Sequence, residues 1–382
     1  MFVYLEACPD YSPELIQFHI DQILSGHFSD RDLAGKRVFL KVNGLTKATA
    51  DKAMTTHPTI VEAVACWLVA RGCKVGIGDN PAGVHEESWL HAVYRSAGYE
   101  SAAEKAGASL SFDREIIEKS CDGEKRQSFR MCRMALDCDM LINIAKLKTH
   151  EYTRYTGCVK NLYGTLPAEE RSELHSAYPE VADFSDMLVD LYECVKPELC
   201  ILDAVVGMEG PGPSAGYPRQ IGAMIASDSG HDADYVGAGL IGMKVSEVKT
   251  LEHAARRGLI HVAGDSALNE KIGKMAVKDF KMPANAANTL SGRIPKPIRR
   301  FLTNRMKKYP RFDLKTCISC GICVKNCPQG ALQMKDKPVF DKKKCICCYC
   351  CQEMCPRKAI DLKDTLTSRL LVAAKKLYRK IR

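Results

Sequence analysis

Cys317, Cys320, Cys323 and Cys327, followed by Pro328, spell C-x2-C-x2-C-x3-C-P, and Cys345, Cys348, Cys351 and Cys355, followed by Pro356, spell it again 28 residues later. Thiolate is a soft ligand. Three thiolates on one tight loop can hold three corners of an iron–sulfur cube, while the fourth, carried past its own loop, reaches a second cube. The spacing therefore assigns Cys317, Cys320, Cys323 and Cys355 to one [4Fe-4S] cluster and Cys345, Cys348, Cys351 and Cys327 to another. Zinc also takes four thiolates, but its sites come as separated C-x2-C pairs, which an unbroken triplet given twice does not match. Cys347 and Cys350 fall outside the register. An alternative register or a spare exchange thiol is conceivable for them; small buried side chains beside the cluster are the plainer account.

A second group of residues is defined by position. Lys41 and Asn43 close one apolar run, Asp79 and Asn80 a second, Lys146, Lys148 and His150 follow a third, and Glu209 a fourth. In open parallel sheets, ligands bind beyond the carboxyl ends of the strands, so these groups are expected to converge on one cleft. Three lysines there would favour an anionic ligand such as a carboxylate or phosphate.

The elements that must position these groups are legible as alternation. RVFLKVN (37–43), KVGIGD (74–79), ASLSF, DMLINIA, LCILDAVVGM and IGAMIAS read as strands. Between them run helical segments: one opened by Thr56-His57-Pro58, one from Glu87, the amphipathic FSDMLVDLYECV, and two at 231–242 and 245–257. The expected fold is α/β, a mostly parallel sheet with helices on both faces, over residues 1–292. A basic linker (293–312), a small α+β ferredoxin-like dicluster domain (313–362) and a basic amphipathic C-terminal helix (363–382) complete the organisation. Residues 293–382 carry 24 Lys and Arg against 6 Asp and Glu, so a basic module is joined to an acidic body.

Composition excludes several classes. With 46% hydrophobic and 26% charged residues the chain is globular, and no apolar stretch reaches the roughly 18 residues that span a bilayer. The N-terminus lacks a basic segment followed by an apolar run, and free cysteines then point to a reducing cytoplasm. No base-stacking motif or reader helix supports nucleic-acid binding. The last helix places Leu366, Leu370, Ala373, Ala374, Leu377 and Ile381 on one face. It is expected to pack on the acidic body, with peripheral membrane contact as the alternative.

Two sets of residues carry resemblances. Residues 310–362 resemble bacterial two-cluster ferredoxins. LKVNGLTKATADKAMTTHPTIVEAV, VGIGDNPAG, INIAKLKTHEYTRYTGCVKNLYG, ILDAVVGMEGPGP and HDADYVGAGLIG resemble the successive blocks of the domain of unknown function 362 family, over about residues 35–262. That resemblance makes Lys41, Asn43, His57, Asp79, Lys146, Lys148, His150, Lys160, Asn161, Asp203, Glu209 and Asp234 candidate site residues, and it implies no substrate. GAGLIG (237–242) matches a dinucleotide-loop pattern but follows a helix opening, so a small-residue helix face is expected. GMEGPGP is expected to be a rigid loop shaping the cleft.

The expected function is an iron–sulfur oxidoreductase with two [4Fe-4S] clusters that passes electrons to an anion in the cleft. Lys41, Asn43, Lys146, Lys148, Lys160 and Asn161 would bind the anion. His150 or His57, titrating near neutral pH, would deliver a proton, and Asp79 or Glu209 would orient a base or hold a metal. A redox partner of ferredoxin or flavoprotein type is implied. The alternatives are a non-enzymatic electron carrier or adaptor, and a non-redox enzyme with structural clusters.

Overall fold

The computed structural model describes residues 1–29, 31–81, 87–283 and 308–363. The basic linker as far as residue 307 and the C-terminal helix from residue 364 lie outside them.

The first body contains β1 (Val3–Ala7), α1 (Pro13–Phe28), β2 (Arg37–Lys41), α2 (Pro58–Val69), β3 (Lys74–Gly78), α3 (Glu87–Ala97), α4 (Tyr99–Ala106) and β4 (Ser109–Leu110). It continues through β5 (Ile116–Ser120), β6 (Ser128–Cys132), β7 (Met140–His150), β8 (Arg154–Thr156), α5 (Cys158–Asn161), α6 (Ala168–Ala177) and α7 (Val181–Val195). Then come β9 (Leu199–Glu209), β10 (Tyr217–Ser227), α8 (Gly230–Leu240), α9 (Lys249–Arg256) and α10 (Ser266–Met275). The large sheet runs β1-β10-β9-β7-β2-β3-β4, with β8 paired to β7. From β9 to β4 every pairing is parallel, whereas β10 and β1 run antiparallel along one edge.

Alternation along the strands builds two cores, because successive side chains point to opposite faces. Val38, Leu40, Ile142, Ile144, Leu199 and Ile201 pack with Ile16, Ile20 and Ile23 of α1 and Ile60, Val64 and Leu68 of α2. Phe39, Leu141, Ala145, Cys200 and Leu202 pack on the other side with Phe184, Leu188 and Leu191 of α7 and Val236 and Leu240 of α8. Helices thus cover both faces, as α/β patterning expects. GAGLIG lies largely in α8, where a Cβ on Gly237 would come within 2.6 Å of Leu202; close helix-on-sheet packing is the reason for its small residues.

The C-terminal module is built from paired halves. β11 (Tyr309–Phe312) pairs β14 (Ile360–Lys363) and β12 (Leu332–Met334) pairs β13 (Pro338–Phe340), with helical turns at Ile322–Lys325 and Cys350–Glu353. It is joined to the first body. Cys347 and Tyr349 belong to the large core, Lys308 Nζ lies 3.4 Å from Glu151 Oε2, and Ser176 Oγ donates to the Pro328 carbonyl at 3.3 Å.

Candidate functional site

Two small cavities in the C-terminal module are lined by cysteines. One is bordered by Cys317, Cys320, Cys323 and Cys355, the other by Cys327, Cys345, Cys348 and Cys351, with Cys347 added. These are the two crossed sets that the spacing groups. The loops repeat in conformation: Ser319, Gly321 and Gly330 have φ of 55°, 75° and 56°, and their counterparts Cys347, Tyr349 and Lys358 have 59°, 67° and 50°. Such left-handed turns fold each triplet inward around its cavity. Backbone amides also repeat, with Ser319 N and Cys347 N donating to Cys317 and Cys345 Sγ at 3.4 Å, and Ala331 N and Ala359 N to Cys327 and Cys355 Sγ at 3.2 Å.

Two sets of four soft thiolate donors suit iron–sulfur clusters, which take one cysteine per iron. Burial, then the charges of Cys320, Cys355 and Cys317, push the Cys323 thiol up to about 11.

Beyond the carboxyl ends of β2, β3 and β7 lies an open cleft of about 900 Å³, mouth included. The strand ends supply Asn43, Asp79, Asn80, Lys148 and His150; α5 and the turn after it supply Lys160, Asn161, Tyr163 and Gly164; α6 supplies Arg171 and His175. Pro213, from the loop expected to shape the cleft, completes one side. The opposite wall comes from the cysteine-rich module, as Asn326, Cys350, Glu353 and Met354. Cys350 thus borders the cleft as well as standing beside the second cysteine set.

The floor is a closed network. Lys41 Nζ lies 2.7 Å from Asp79 Oδ1 and donates to the Val42 carbonyl at 2.7 Å, while Gly44 N and Asn80 N donate to the same carboxylate at 2.6 and 2.8 Å. A Cβ at Gly164 would stand 2.4 Å from Asp79 Oδ1, so only glycine fits above this pair. Lys148 Nζ donates to Asn43 Oδ1 and the Met54 carbonyl, both at 2.8 Å, and among the described residues it forms no ion pair. Burial first, and then the charge of Lys160, pushes its ammonium down to about 7. Asn43 Nδ2 donates to Asn161 Oδ1 at 2.8 Å, and Asn161 Nδ2 to Asn143 Oδ1 at 2.7 Å.

The upper cleft carries unspent polar capacity. Lys160 Nζ sits 5.6 Å from the centre of the Tyr163 ring, and among the described residues it has no carboxylate within ion-pairing distance. Arg171 gives its two Nη groups to the Asn80 and Pro81 carbonyls, leaving Nε without a partner. Thr156 Oγ1 and His175 Nδ1, also in the lining, are buried without hydrogen bonds among the described residues. His150 Nδ1 accepts from Tyr152 N at 3.0 Å and Thr153 N at 3.4 Å, which leaves the ring proton on Nε2. Nε2 faces Glu353 Oε1 at 3.2 Å, although the angle is too poor for a hydrogen bond. Burial, followed by the Lys160 and Lys148 charges, holds His150 well below the usual imidazole range, and burial raises the Glu353 carboxyl. His150 is thus a neutral donor at pH 7, contrary to the expectation that it titrates there.

Four expected residues do not line this cleft: Lys41 lies buried beneath it, paired with Asp79, and Lys146, His57 and Glu209 stand elsewhere. Lys146 Nζ is held at 2.8 Å by both Asp203 Oδ2 and the Tyr11 hydroxyl. His57 caps α2, stacks on Tyr11 at 3.6 Å, and is pushed down to about 4 by burial first. Its backbone amide donates to Asp203, closing a network of its own. Glu209 accepts from Lys281 N at 2.9 Å, away from the cleft. β7 shifts register against β9 between Lys146 and Lys148, and the two lysines serve different networks. Asp234 is structural, accepting from Cys158 N and Val159 N at 2.6 and 3.0 Å at the start of α5. Tyr163, Arg171, His175 and Glu353 are the residues that sequence reasoning missed, and only the i, i+3 spacing of Cys350 and Glu353 on one turn carried a signal.

Comparison with known proteins agrees with this architecture. Residues 38–239 match a family described as a domain of unknown function (DUF362), and residues 310–333 match a 4Fe-4S binding domain, which makes this an iron–sulfur protein. A thylakoid-associated protein, sll1697, of Synechocystis sp. is 30% identical over 256 residues, 65% of this chain and 77% of its own length. The lactate racemase apoprotein from Thermoanaerobacterium thermosaccharolyticum shows a TM-score of 0.40 at 12% identity, over 61% of this chain and 56% of that one. With more than half of its 382 residues matched by one family and a relative alike over most of its own length, the chain belongs to the DUF362 family.

Proposed function

We propose that this chain is an iron–sulfur redox enzyme. Cys317, Cys320, Cys323 and Cys355 would hold one [4Fe-4S] cluster, Cys345, Cys348, Cys351 and Cys327 the other, and a small anion bound in the cleft would accept the electrons. One observation carries this reading: the cleft and the second cysteine cavity share a wall, because Cys348 and Cys351 line the cavity while Cys350 and Glu353 line the cleft. When bound, the clusters supply one-electron transfer.

The residues of the chain divide the remaining work. Lys160 and Arg171 give the cleft its positive face, and His150 Nε2 and Thr156 Oγ1 add neutral donors for an anionic oxygen. Lys148, near 7, would exchange a proton at physiological pH, and burial shifts the Glu353 carboxyl upward beside it. Cys350 and Met354 keep water from the wall between cleft and cavity. A reducing compartment suits the many thiols; fractionation would distinguish cytoplasm from the thylakoid association that the Synechocystis relative's name states.

The test is to reconstitute the protein anaerobically, reduce it, and follow reoxidation with a panel of carboxylates, 2-oxo acids, phosphates and sulfur oxyanions. Turnover with one class that disappears in Lys160→Met supports the enzyme. No turnover with any anion, alongside fast exchange with a flavoprotein, favours the electron carrier, a reading helped by the exposed position of Cys320.

A further inference from the structure

The two cysteine cavities differ in their surroundings. The second is sealed against the first body, since Cys347 and Tyr349 are part of the large core. The first lies over a small separate cluster of Cys323, Leu332 and Ile360, and Cys320 on its rim is exposed. Large apolar side chains stand in solvent around it. Ile318, which lines the cavity, is 57% exposed, Leu314 49% and Met334 38%. Met334 reaches to 3.7 Å of the position a Cβ would take on Gly321, so it belongs to the same face; exposed apolar groups gathered at one place mark an interaction surface.

The rim of this face is basic. Lys315, Lys335 and Lys358 are exposed, Arg357 lines the cavity, and Lys337 Nζ donates to the Cys317 carbonyl at 2.6 Å. Asp313 and Asp336 are the nearby acids, and Asp313 is already engaged by Thr316. Charge complementarity therefore selects an acidic occupant. The chain's own residues 364–382 fit poorly, because they carry six Lys and Arg against one Asp.

We propose that the face formed by Ile318, Cys320 and Met334 docks an acidic one-electron carrier protein. This rests on the cluster assignment above. Cys317, Cys320, Cys323 and Cys355 would hold the group that takes one electron from the reduced carrier, which would itself be oxidised by one electron with no bond made or broken. The far cavity and the cleft are then served from inside the molecule, and the two faces of the module have separate tasks.

The test uses reconstituted full-length protein and two probes, an oxidised flavodoxin and vesicles rich in phosphatidylserine. Calorimetry should give flavodoxin binding that weakens with salt, and Ile318→Glu or Lys315→Glu with Lys335→Glu should weaken it about tenfold or more. Iron content and reduction by dithionite should not change in these variants, and Lys36→Glu on the first body should bind as the parent does. Should Ile318→Glu fail to load iron, the solvated lysine pair decides. Parent-like flavodoxin binding in the pair, or vesicle binding lost with flavodoxin binding intact, overturns the proposal. A parent protein that loads no iron overturns the cluster assignment instead.

Discussion

Replacing Lys160 with Met separates function from stability in the cleft. The ammonium has the Tyr163 ring beside it and, among the described residues, no carboxylate partner; burial pushes its protonation downward and only the Glu353 and Cys350 charges oppose this. A cation held in this way stabilises an incoming anion more than it stabilises the fold. A hydrogen bond to a charged group contributes about 1.5–3 kcal/mol, which corresponds to about 10- to 150-fold in affinity. Lys160→Met should therefore weaken binding of simple anion probes, inorganic phosphate and oxalate, by that factor. Its melting temperature should stay level or rise, because a desolvated charge is replaced by an apolar chain of similar length. Titration calorimetry with a parallel thermal melt gives both numbers. Unchanged affinity together with a lower melting temperature would refute the reasoning and make Lys160 a packing residue.

The remaining predictions concern the groups beneath and beside it. Lys148 has its ammonium at about 7 in the fold against an ordinary 10.5, so the unfolded chain binds more protons between these values and stability should rise with pH across that window, by up to about 1.4 kcal/mol per unit. Denaturant midpoints measured at several pH values should show this slope in the parent and lose it in Lys148→Met. Lys41→Met leaves the Asp79 carboxylate buried and unpaired, and should cost about 3–5 kcal/mol in urea unfolding, with partial recovery on adding Asp79→Asn. Cys355→Ser should disturb the cavity of Cys317, Cys320 and Cys323 and leave the triplet it follows intact, whereas Cys350→Ser should keep full iron and change only anion binding. Iron analysis of the two proteins side by side checks both statements.

The fold was legible wherever a short pattern decides it. RVFLK, KVGIG and LCILDAV are apolar runs too short for helices, and each is a strand. The cysteine register also groups the thiols into the same two sets that line the two small cavities, because each triplet's spacing is local to its loop. Three features escaped that kind of reading. The strand β1 and helix α1 carry an unremarkable pattern, and the antiparallel edge follows from long-range pairing of β1 with β10. Lys146 and Lys148 share a parity on β7 yet part company at a register shift that no residue type announces. The cleft wall of Cys350 and Glu353 exists only because one module docks on another; neither residue has a motif, and Arg171 and His175 arrive from a helix whose polar face reads as ordinary solvent-facing surface.

Anaerobic reconstitution followed by iron and acid-labile sulfide analysis tests the two-cluster assignment most directly. Two [4Fe-4S] clusters require about eight irons and eight sulfides per chain. A value near four, or iron without matching sulfide, would contradict the assignment of both cavities.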